Sequence, residues 1–203
     1  MKQIAILGGT FDPIHNGHLK LAENAFAQFS LDEVWFMPAP NPPHKTGRRI
    51  TDYKDRFAMV ELAIKPYQGF VCSDYETRRE GKSYTSETVA ELAADYPECA
   101  FHFVLGADSF YEFQNWHEPE TIMKYVSLIV ADRDYAKNHA SLAEQAEFLK
   151  EKFGARVQFI HAPEVDISSQ YIRSLYAAGK KKAARLTPPA VAEYIAAHHL
   201  YGQ

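Results

Sequence analysis

Short apolar runs alternate with segments of helical periodicity along most of the chain. The run Ile4–Leu7 is apolar without interruption, as is typical of a strand that is buried on both faces of a parallel sheet. Similar runs predict the other strands, at Val34–Met37, Phe70–Ser73, Phe101–Leu105, Leu128–Ala131 and Val157–Ile160. Apolar residues at helical spacing predict helices over Gly17–Phe29, Tyr53–Ile64, Ser86–Asp95, Ser109–Phe113, Thr121–Lys124 and Leu142–Phe153. Thr85 or Ser86 is the candidate cap of the third of these helices, and Gly154 suits the end of the last.

This alternation predicts an α/β fold, a doubly wound and Rossmann-like parallel sheet with helices on both faces. The pattern contains no internal repeat and no linker-like shift in composition, so we expect residues 1–203 to form a single domain. In such sheets ligands bind beyond the carboxyl ends of the strands, where the strand order reverses. Polar residues that follow a predicted strand are therefore the first candidates for a functional site.

Composition and charge narrow the class of protein. The 203 residues carry a net charge of −4, which argues against broad nucleic-acid binding, because such proteins usually have a basic surplus. Cys72 and Cys99 are too few and too far apart for a disulfide framework or a zinc ribbon. We recognise no signal peptide and no apolar run long enough to span a membrane. The expectation is a cytoplasmic protein that binds neither membranes nor nucleic acids.

One stretch, Gly8–Leu19, concentrates the candidate chemistry between the first predicted strand and the first predicted helix. The first amides of a helix lack intrahelical partners, and the helix dipole favours negative charge there. Two glycines let the backbone approach a ligand, while His15 and His18 supply hydrogen-bond donors. The stretch is therefore typical of a phosphate site.

Other interpretations of this stretch stay open at the level of residue types. An ordinary loop with two solvated or partly buried histidines has the same composition. The stretch lacks the Gly-Lys-Ser/Thr ending of a Walker loop and the Gly-x-Gly-x-x-Gly fingerprint of dinucleotide sites. Zinc ligation is the least favoured alternative, because no Glu follows His15 and no Cys lies nearby.

Further polar residues follow other predicted strands. The proline-rich loop after the second strand carries His44 and Lys45, and it is either a solvated surface loop or a cover whose cations reach phosphates. Asp108 suits a sugar hydroxyl or the cap of a helix. Trp116 suits stacking on a ligand or partly buried packing. Arg133 follows the fifth predicted strand and is a candidate for the same edge of the sheet.

A second helix start lies within Val165–Arg173. Ser168 is a natural N-cap, and the first turn together with Arg173 would present donors to an anion. Capping explains the serine alone, whereas the guanidinium of Arg173 is suited to gripping two phosphate oxygens. The chain therefore has two helix starts with anion-binding chemistry.

The string Gly-Gly-Thr-Phe-Asp-Pro-Ile-His-Asn-Gly-His-Leu resembles the His-x-Gly-His motif of the nucleotidyltransferase superfamily. Ile167–Arg173 resembles a second motif, Ile-Ser-Ser/Ala-Thr-x-Ile-Arg, with Gln170 in place of the usual Thr, which puts one phosphate-side hydroxyl in doubt. From Lys2 to Tyr201 the chain is similar to the bacterial nicotinate-nucleotide adenylyltransferase family. The other segments that carry this similarity are Tyr84–Thr85, Gly106–Ser109, Trp116 and Val191–Tyr201.

This resemblance implies transfer of the adenylyl group of ATP to nicotinate mononucleotide by direct in-line attack, with pyrophosphate as the second product. It implies catalytic roles for His15, His18 and Arg173. The implied ATP-binding residues are Gly8, Gly9, Thr10, His15, His18, His44, Lys45, Gly106, Asp108, Ile167, Ser168 and Arg173. The implied acceptor-binding residues are Thr85, Asp108, Trp116 and Arg133. Mg²⁺ is implied as the companion of ATP, without a metal site of the protein's own, and a homodimer is left open.

Two alternatives to this function stay open. An enzyme of the same fold would use another acceptor, such as nicotinamide mononucleotide, phosphopantetheine or a choline-like phosphate. A non-catalytic nucleotide sensor would keep the phosphate corner, although a pure binder has no need of His15, His18 and Arg173 together.

Overall fold

Six strands form one parallel sheet in the computed structural model, which describes residues 1–42, 50–79, 81–131, 141–160 and 167–202. The strands are β1 Lys2–Gly9, β2 Glu33–Pro38, β3 Phe70–Cys72, β4 Cys99–Leu105, β5 Val126–Ala131 and β6 Val157–Ile160. Their order is β3-β2-β1-β4-β5-β6, so the order reverses between β1 and β4. The predicted doubly wound α/β fold is confirmed.

Helices follow the strands in the order that the periodicity predicts. They are α1 Asn16–Gln28, α2 Tyr53–Ile64, α3 Thr85–Asp95, α4 Ala107–Tyr111, α5 Pro119–Tyr125, α6 Leu142–Phe153, α7 Ser169–Ala177 and α8 Pro189–Ala197. Short 3-10 helices lie at Tyr75–Arg78, Phe113–Asn115, Lys181–Arg185 and Leu200–Gly202. None of the helices in the described ranges is long and apolar enough to cross a membrane.

Residue contacts divide the chain into two compact units. Unit 1 contains residues 1–7, 22–34 and 83–164, and unit 2 contains residues 8–21, 35–82 and 165–203. The prediction that residues 1–203 form a single domain stays a prediction.

Unit 1 is built on strands with buried side chains. All six residues of β5 are buried, as the uninterrupted apolar run of this strand predicts. β1 pairs in parallel with β4, with Ile4 opposite Phe101, and β4 pairs in parallel with β5, with Phe103 opposite Leu128. The candidate residues Gly106 and Asp108 of this unit lie just beyond the end of β4, outside the apolar interior.

Unit 2 has an apolar core that fixes the chain just after β1. Phe11, Ile14 and Phe36 are almost completely buried, and the ring centroids of Phe11 and Phe36 lie 6.0 Å apart. Ile172 of α7 and Ile195 of α8 are fully buried in the same unit. Because Phe11 and Ile14 are both anchored, the two residues between them are held in a defined position.

Two predicted helix ends are confirmed. α6 ends at Gly154, whose φ of 69° is left-handed and therefore favours glycine. α7 begins after Ser168, whose side chain accepts a hydrogen bond from the backbone amide of Tyr171. Residue type predicts both ends because each capping residue directly adjoins the helix that it caps.

The start of α3 differs from the prediction. The sequence predicts Thr85 or Ser86 as the cap, but α3 begins at Thr85 after Tyr84, and no side chain caps it. The hydroxyl of Ser86 instead shares a hydrogen bond with Nδ1 of His117, 3.3 Å away. A long-range partner therefore replaces the local capping role that serine usually has.

His102 of β4 joins three strands of unit 1. Its Nε2 lies 2.9 Å from Oε1 of Gln3 on β1, and its Nδ1 lies 2.6 Å from Oγ of Ser127 on β5. The side-chain amide of Gln3 donates to the carbonyl of Met1, so Oε1 is left to accept from Nε2 of His102. Burial, followed by the charge of Arg156, lowers the pKa of His102 from its ordinary value of 6.5. The neutral ring is the native form.

We predict that protonation of His102 destabilises the protein at acidic pH. The pKa of His102 is lower in the folded state than in the unfolded state, so the unfolded state binds more protons once the pH falls below about 6.5. Urea denaturation between neutral pH and about pH 5 should therefore show a steeper loss of unfolding free energy in the native protein than in the non-titrating His102→Gln variant. Equal pH dependence in the two proteins would contradict this assignment.

Candidate active site

The stretch between β1 and α1 forms a buried corner of unit 2. Residues 11–15 are all buried, whereas Gly8 is exposed and Gly9 and Thr10 are half-buried. A Cβ atom at Gly9 would lie 3.2 Å from the ring of Phe11, so a larger residue there would crowd the corner. The two candidate glycines thus lie at the end of β1, where the backbone is accessible to a ligand.

The imidazole rings of His15 and His18 are stacked. Their centroids are 3.7 Å apart with an angle of 21° between the planes, and the edge of Phe11 contacts His18 at 5.0 Å between centroids. The backbone amide of His15 donates a hydrogen bond to Nδ1 of His18 at 3.3 Å. Nδ1 of His18 is an acceptor in this contact, so the proton of the neutral ring is on Nε2. His18 therefore offers Nε2 as a hydrogen-bond donor.

Gly17 is required by this stack. A Cβ atom at residue 17 would lie 3.0 Å from both Cε1 and Nδ1 of His15, closer than nine in ten Cβ contacts in proteins, so the buried ring of His15 would have to shift. It would also lie 3.7 Å from Cβ of Ile167, the candidate residue that precedes the N-cap of α7. The spacing His-x-Gly-His is thus explained by the room that His15 needs.

The first turn of α1 is partly satisfied within the protein. The backbone amide of Asn16 donates to the carbonyl of Leu186 at 3.0 Å, and its side chain donates to the carbonyl of Arg185 at 3.2 Å. The sequence predicts several open backbone amides at this helix start, but the amide of Asn16 already has a partner within the protein. The imidazole donor carries more of the anion-binding chemistry than the sequence alone suggests.

The first turn of α7 lies against the same corner. Ser169 Oγ donates to the carbonyl of Pro13 at 2.9 Å, and Nη1 of Arg173 donates to the carbonyl of Asp12. Nη1 of Arg173 is also 3.8 Å from Oδ2 of Asp12. Only 14% of the Arg173 side chain is exposed, so its charge is directed into the corner. The two helix starts singled out in the sequence are brought together in unit 2.

Asp12 is a site residue that the sequence did not single out. It is 2% exposed, and its Oδ1 accepts a hydrogen bond of 2.8 Å from the hydroxyl of Tyr201. Burial, followed by the charge of Asp12, raises the pKa of Tyr201, which keeps the phenol protonated as a donor. Asp12 therefore links Arg173 to the last residues of the described chain.

Arg56 of α2 is a second residue that sequence reasoning missed. Its side chain is 1% exposed, and it donates to the carbonyls of Thr51 at 2.8 Å, Thr10 at 2.7 Å, Ala39 at 3.0 Å and Pro40 at 3.4 Å. Burial lowers the pKa of this guanidinium from its ordinary value, although an arginine stays charged. One side chain thus fixes the backbone on three sides of the corner.

The candidates after β4 lie in unit 1. Gly106 is the N-cap of α4, so the alternative in which Asp108 is that cap is excluded. Asp108 lies two positions after Gly106, in the first turn of α4, and it is exposed. Thr85 is half-buried as the first residue of α3.

Trp116 packs on other aromatic residues and is still accessible. Its ring meets Phe103 edge-to-face at 5.9 Å between centroids and lies 5.2 Å from Phe113 at an angle of 30°. The residue is half-buried, so part of the indole surface faces outward. Packing and ligand stacking are therefore compatible roles for Trp116. The inner part of the ring packs on Phe103 and Phe113, and the outward part is accessible to a ligand.

Three candidate residues, His44, Lys45 and Arg133, lie outside the described residues. Within the described ranges, no group of three or more His, Cys, Asp or Glu side chains is arranged to hold a metal ion.

Comparison with known proteins assigns the family. The family model of cytidylyltransferase-like proteins matches residues 6–175. This range includes both the His-x-Gly-His corner and the start of α7. The chain belongs to the cytidylyltransferase-like family.

Curated relatives match this cytidylyltransferase-like chain over its whole length. A protein of Symbiobacterium thermophilum is 42% identical over 204 residues, with 99% of this chain and 96% of that protein covered. A protein of Lachnoclostridium phytofermentans is 36% identical over 201 residues, with 99% and 100% covered. Both carry the name "Probable nicotinate-nucleotide adenylyltransferase".

Solved structures share the fold of this family member. The nicotinic acid mononucleotide adenylyltransferase of Plasmodium falciparum superposes with a TM-score of 0.81 in its complex with NaAD and 0.80 in its complex with APC. Each covers 99% of this chain and 98% of the solved chain, at 21% sequence identity. At that identity the likeness supports the fold.

The described corner of this cytidylyltransferase-like protein suits an anion. His18 supplies a neutral N–H donor, and Arg173 supplies a planar cation that contacts Asp12 in the same unit. Asp12 faces Arg173 and holds it in place, and a carboxylate there also offsets the buried charge of Arg56. The chemistry of the corner is hydrogen-bond donation and positive charge, which phosphate groups require.

We predict that Arg56→Lys destabilises the protein strongly. A lysine has no planar fork and cannot donate to all of these carbonyls, so buried acceptors lose their partner, at about 2–4 kcal/mol of unfolding free energy. Chemical denaturation would measure this loss, with the exposed Arg185→Lys as the matched control. A loss in Arg56→Lys as small as in the control would show that these hydrogen bonds do not stabilise the corner.

Proposed function

We propose that this chain transfers the adenylyl group of ATP to nicotinate mononucleotide, giving deamido-NAD and pyrophosphate in NAD biosynthesis. The observation that carries this proposal is the stacked pair His15 and His18, with Nε2 of His18 as donor, in the unit where Arg173 contacts Asp12. The full-length similarity to relatives named as nicotinate-nucleotide adenylyltransferases supports the choice of acceptor.

The reaction needs no nucleophile from the protein. A phosphate oxygen of nicotinate mononucleotide attacks the α-phosphorus of ATP, and the bond between that phosphorus and the oxygen bridging to the β-phosphate breaks. Pyrophosphate leaves with the electron pair of the broken bond. Catalysis then consists of aligning the two phosphates and of stabilising the charge that develops during the transfer.

The proposal gives the corner residues distinct roles on the ATP side. His18 donates from Nε2 to the phosphate that becomes more negative in the transition state, and His15 fixes the ring of His18 by stacking. Gly8, Gly9 and Thr10 bring the accessible backbone at the end of β1 close to the nucleotide.

The second helix start holds the leaving group in this proposal. Arg173 and Ser168 bind the β- and γ-phosphates, with Ile167 packed at the approach to α7. Because Asp12 already contacts Arg173, the guanidinium is oriented before ATP binds. His44 and Lys45 are proposed to add positive charge to the triphosphate.

The acceptor and sugar groups are assigned to unit 1 in this proposal. The outward part of the Trp116 ring stacks on the pyridine ring, and Thr85 at the start of α3 meets its carboxylate. Exposed Asp108, next to Gly106, binds a sugar hydroxyl. Arg133 is proposed to bind a phosphate or sugar group of the same ligand pair.

Magnesium enters this proposal as part of the substrate. We propose that the ion is delivered and held mainly by the triphosphate, as MgATP. Bound there, Mg²⁺ neutralises charge on the phosphates and on the leaving pyrophosphate. The free thiols of Cys72 and Cys99 fit the proposed cytoplasmic location.

Pyrophosphate release with ATP and a set of acceptors tests the function. We expect release with nicotinate mononucleotide, and a much lower kcat/KM with nicotinamide mononucleotide and with phosphopantetheine. Efficient turnover of a different acceptor would replace the proposed substrate, and ATP binding without any release would favour a nucleotide sensor.

We predict that His18→Ala lowers kcat by about two to three orders of magnitude, because one preorganised donor to the developing charge is lost. Steady-state kinetics at saturating ATP and acceptor would measure this effect. His198→Ala is the matched control, since His198 is also stacked on an aromatic ring of unit 2, with centroids 4.0 Å apart. Near-normal kcat in folded His18→Ala would exclude the proposed role.

We predict that Tyr201→Phe lowers kcat/KM for ATP about tenfold, because Asp12 loses a hydrogen bond and holds Arg173 less well. Tyr194→Phe is the control, because the hydroxyl of Tyr194 donates to Asp55 at 2.9 Å in the same unit. Both variants should lose some stability, but only Tyr201→Phe should lose catalytic efficiency. Equal kcat/KM values in the two variants would limit Tyr201 to a stabilising role.

A further inference from the structure

His117 forms a cluster in unit 1 that the proposed chemistry does not use. Its ring is stacked on Tyr84, with centroids 4.3 Å apart and 26° between the planes. Its Nδ1 shares a hydrogen bond of 3.3 Å with Oγ of Ser86, a residue with no exposed surface. His117 is therefore held from two directions by the start of α3.

The two partners of His117 flank Thr85 in the sequence, and His117 itself directly follows Trp116. The contacts of His117 thus connect the segment that carries Trp116 to the segment that carries Thr85. Both of these residues are acceptor-side candidates in the proposed function. A shift of the His117 ring would move one candidate segment relative to the other.

The backbone next to His117 is strained, and the contacts of His117 with Tyr84 and Ser86 help to hold it in this conformation. The next residue, Glu118, has φ 48° and ψ 61°, the left-handed conformation that residues with a side chain disfavour. Trp116 is extended just before it, with φ −71° and ψ 161°. A turn of this kind persists only where its surroundings hold it.

The burial of Ser86 excludes a catalytic interpretation of this cluster. A serine beside a histidine has the composition of a nucleophile and its base. Ser86 has no exposed surface, so its hydroxyl is inaccessible to a substrate. The hydrogen bond therefore positions His117.

We propose that His117, clamped by Tyr84 and Ser86, is a positioning residue that sets the Trp116 ring against Thr85 and thereby determines the affinity for the pyridine end of the acceptor. This inference rests on the proposed function, because it assumes that Trp116 and Thr85 bind a pyridine carboxylate. Because the clamp contacts of His117 are with Tyr84 and Ser86 at the start of α3, we expect it to act on acceptor binding.

Steady-state kinetics of three variants test this role. Ser86→Ala removes the hydrogen bond, His117→Phe keeps a ring to stack on Tyr84, and His117→Asn keeps a hydrogen-bonding group for Ser86. We expect Ser86→Ala and His117→Phe to raise KM for nicotinate mononucleotide about three- to tenfold, the effect of one lost hydrogen bond. The kcat and the KM for ATP should stay within about twofold of the native values, and His117→Asn should show a smaller rise than His117→Phe.

Quenching of tryptophan fluorescence measures acceptor binding at Trp116 directly, and a general loss of stability would not change its concentration dependence. In a Trp35→Phe background, Trp116 is the only tryptophan, and a pyridine ring stacked on it quenches its emission. Quenching should require higher concentrations of nicotinate mononucleotide in Ser86→Ala. Ser127→Ala is the matched control, because it removes another serine–histidine hydrogen bond of unit 1, the one to His102.

The outcomes separate this inference from the function on which it rests. An unchanged KM for nicotinate mononucleotide in Ser86→Ala and His117→Phe would overturn the positioning role, and so would parallel losses in kcat and both KM values. Equal behaviour of Ser86→Ala and Ser127→Ala would reduce the clamp to a stabilising contact. Failure of the native protein to release pyrophosphate with nicotinate mononucleotide would instead overturn the proposed function.

Discussion

The face-to-face contact of His15 and His18 is the constraint on which the corner depends. Two imidazolium charges about 4 Å apart would repel each other by roughly 4 kcal/mol at an effective dielectric constant of about 20, so both rings cannot be charged at little cost. The amide of His15 donates to Nδ1 of His18, which orients a neutral ring with its donor on Nε2. Gly17 leaves room for this geometry, because a Cβ atom there would lie 3.0 Å from the ring of His15 and would displace it.

Charges from distant parts of unit 2 hold that corner in place. Buried Asp12 faces Arg173 and accepts a hydrogen bond from Tyr201, while buried Arg56 binds backbone carbonyls on several sides. A buried carboxylate and two guanidinium groups stabilise a fold only when each is paired and hydrogen-bonded. One carboxylate and two guanidinium groups leave a net positive charge in this unit, which an anionic ligand would neutralise.

The sequence predicted the features whose causes are local. The six strands follow from apolar runs, the caps at Ser168 and Gly154 from residue type, and the corner from its motif. Arg56 was missed because it lies among polar residues at the start of α2 and resembles a solvated helix face. Tyr201 and Asp12 were missed as partners because 189 positions separate them. At Ser86 the local capping signal was wrong, since a tertiary hydrogen bond to His117 uses the hydroxyl.

In the proposed function, the corner acts by donating hydrogen bonds and positive charge, with no covalent step on the protein. ATP made chiral at the α-phosphorus by a single sulfur tests this directly, because each displacement at that phosphorus inverts its configuration. After turnover with nicotinate mononucleotide, the dinucleotide product should show inversion, as a single in-line attack requires. Retention would require two displacements and therefore an adenylyl–enzyme intermediate, with His15 or His18 as the first nucleophile to be examined, and it would contradict a purely positioning corner.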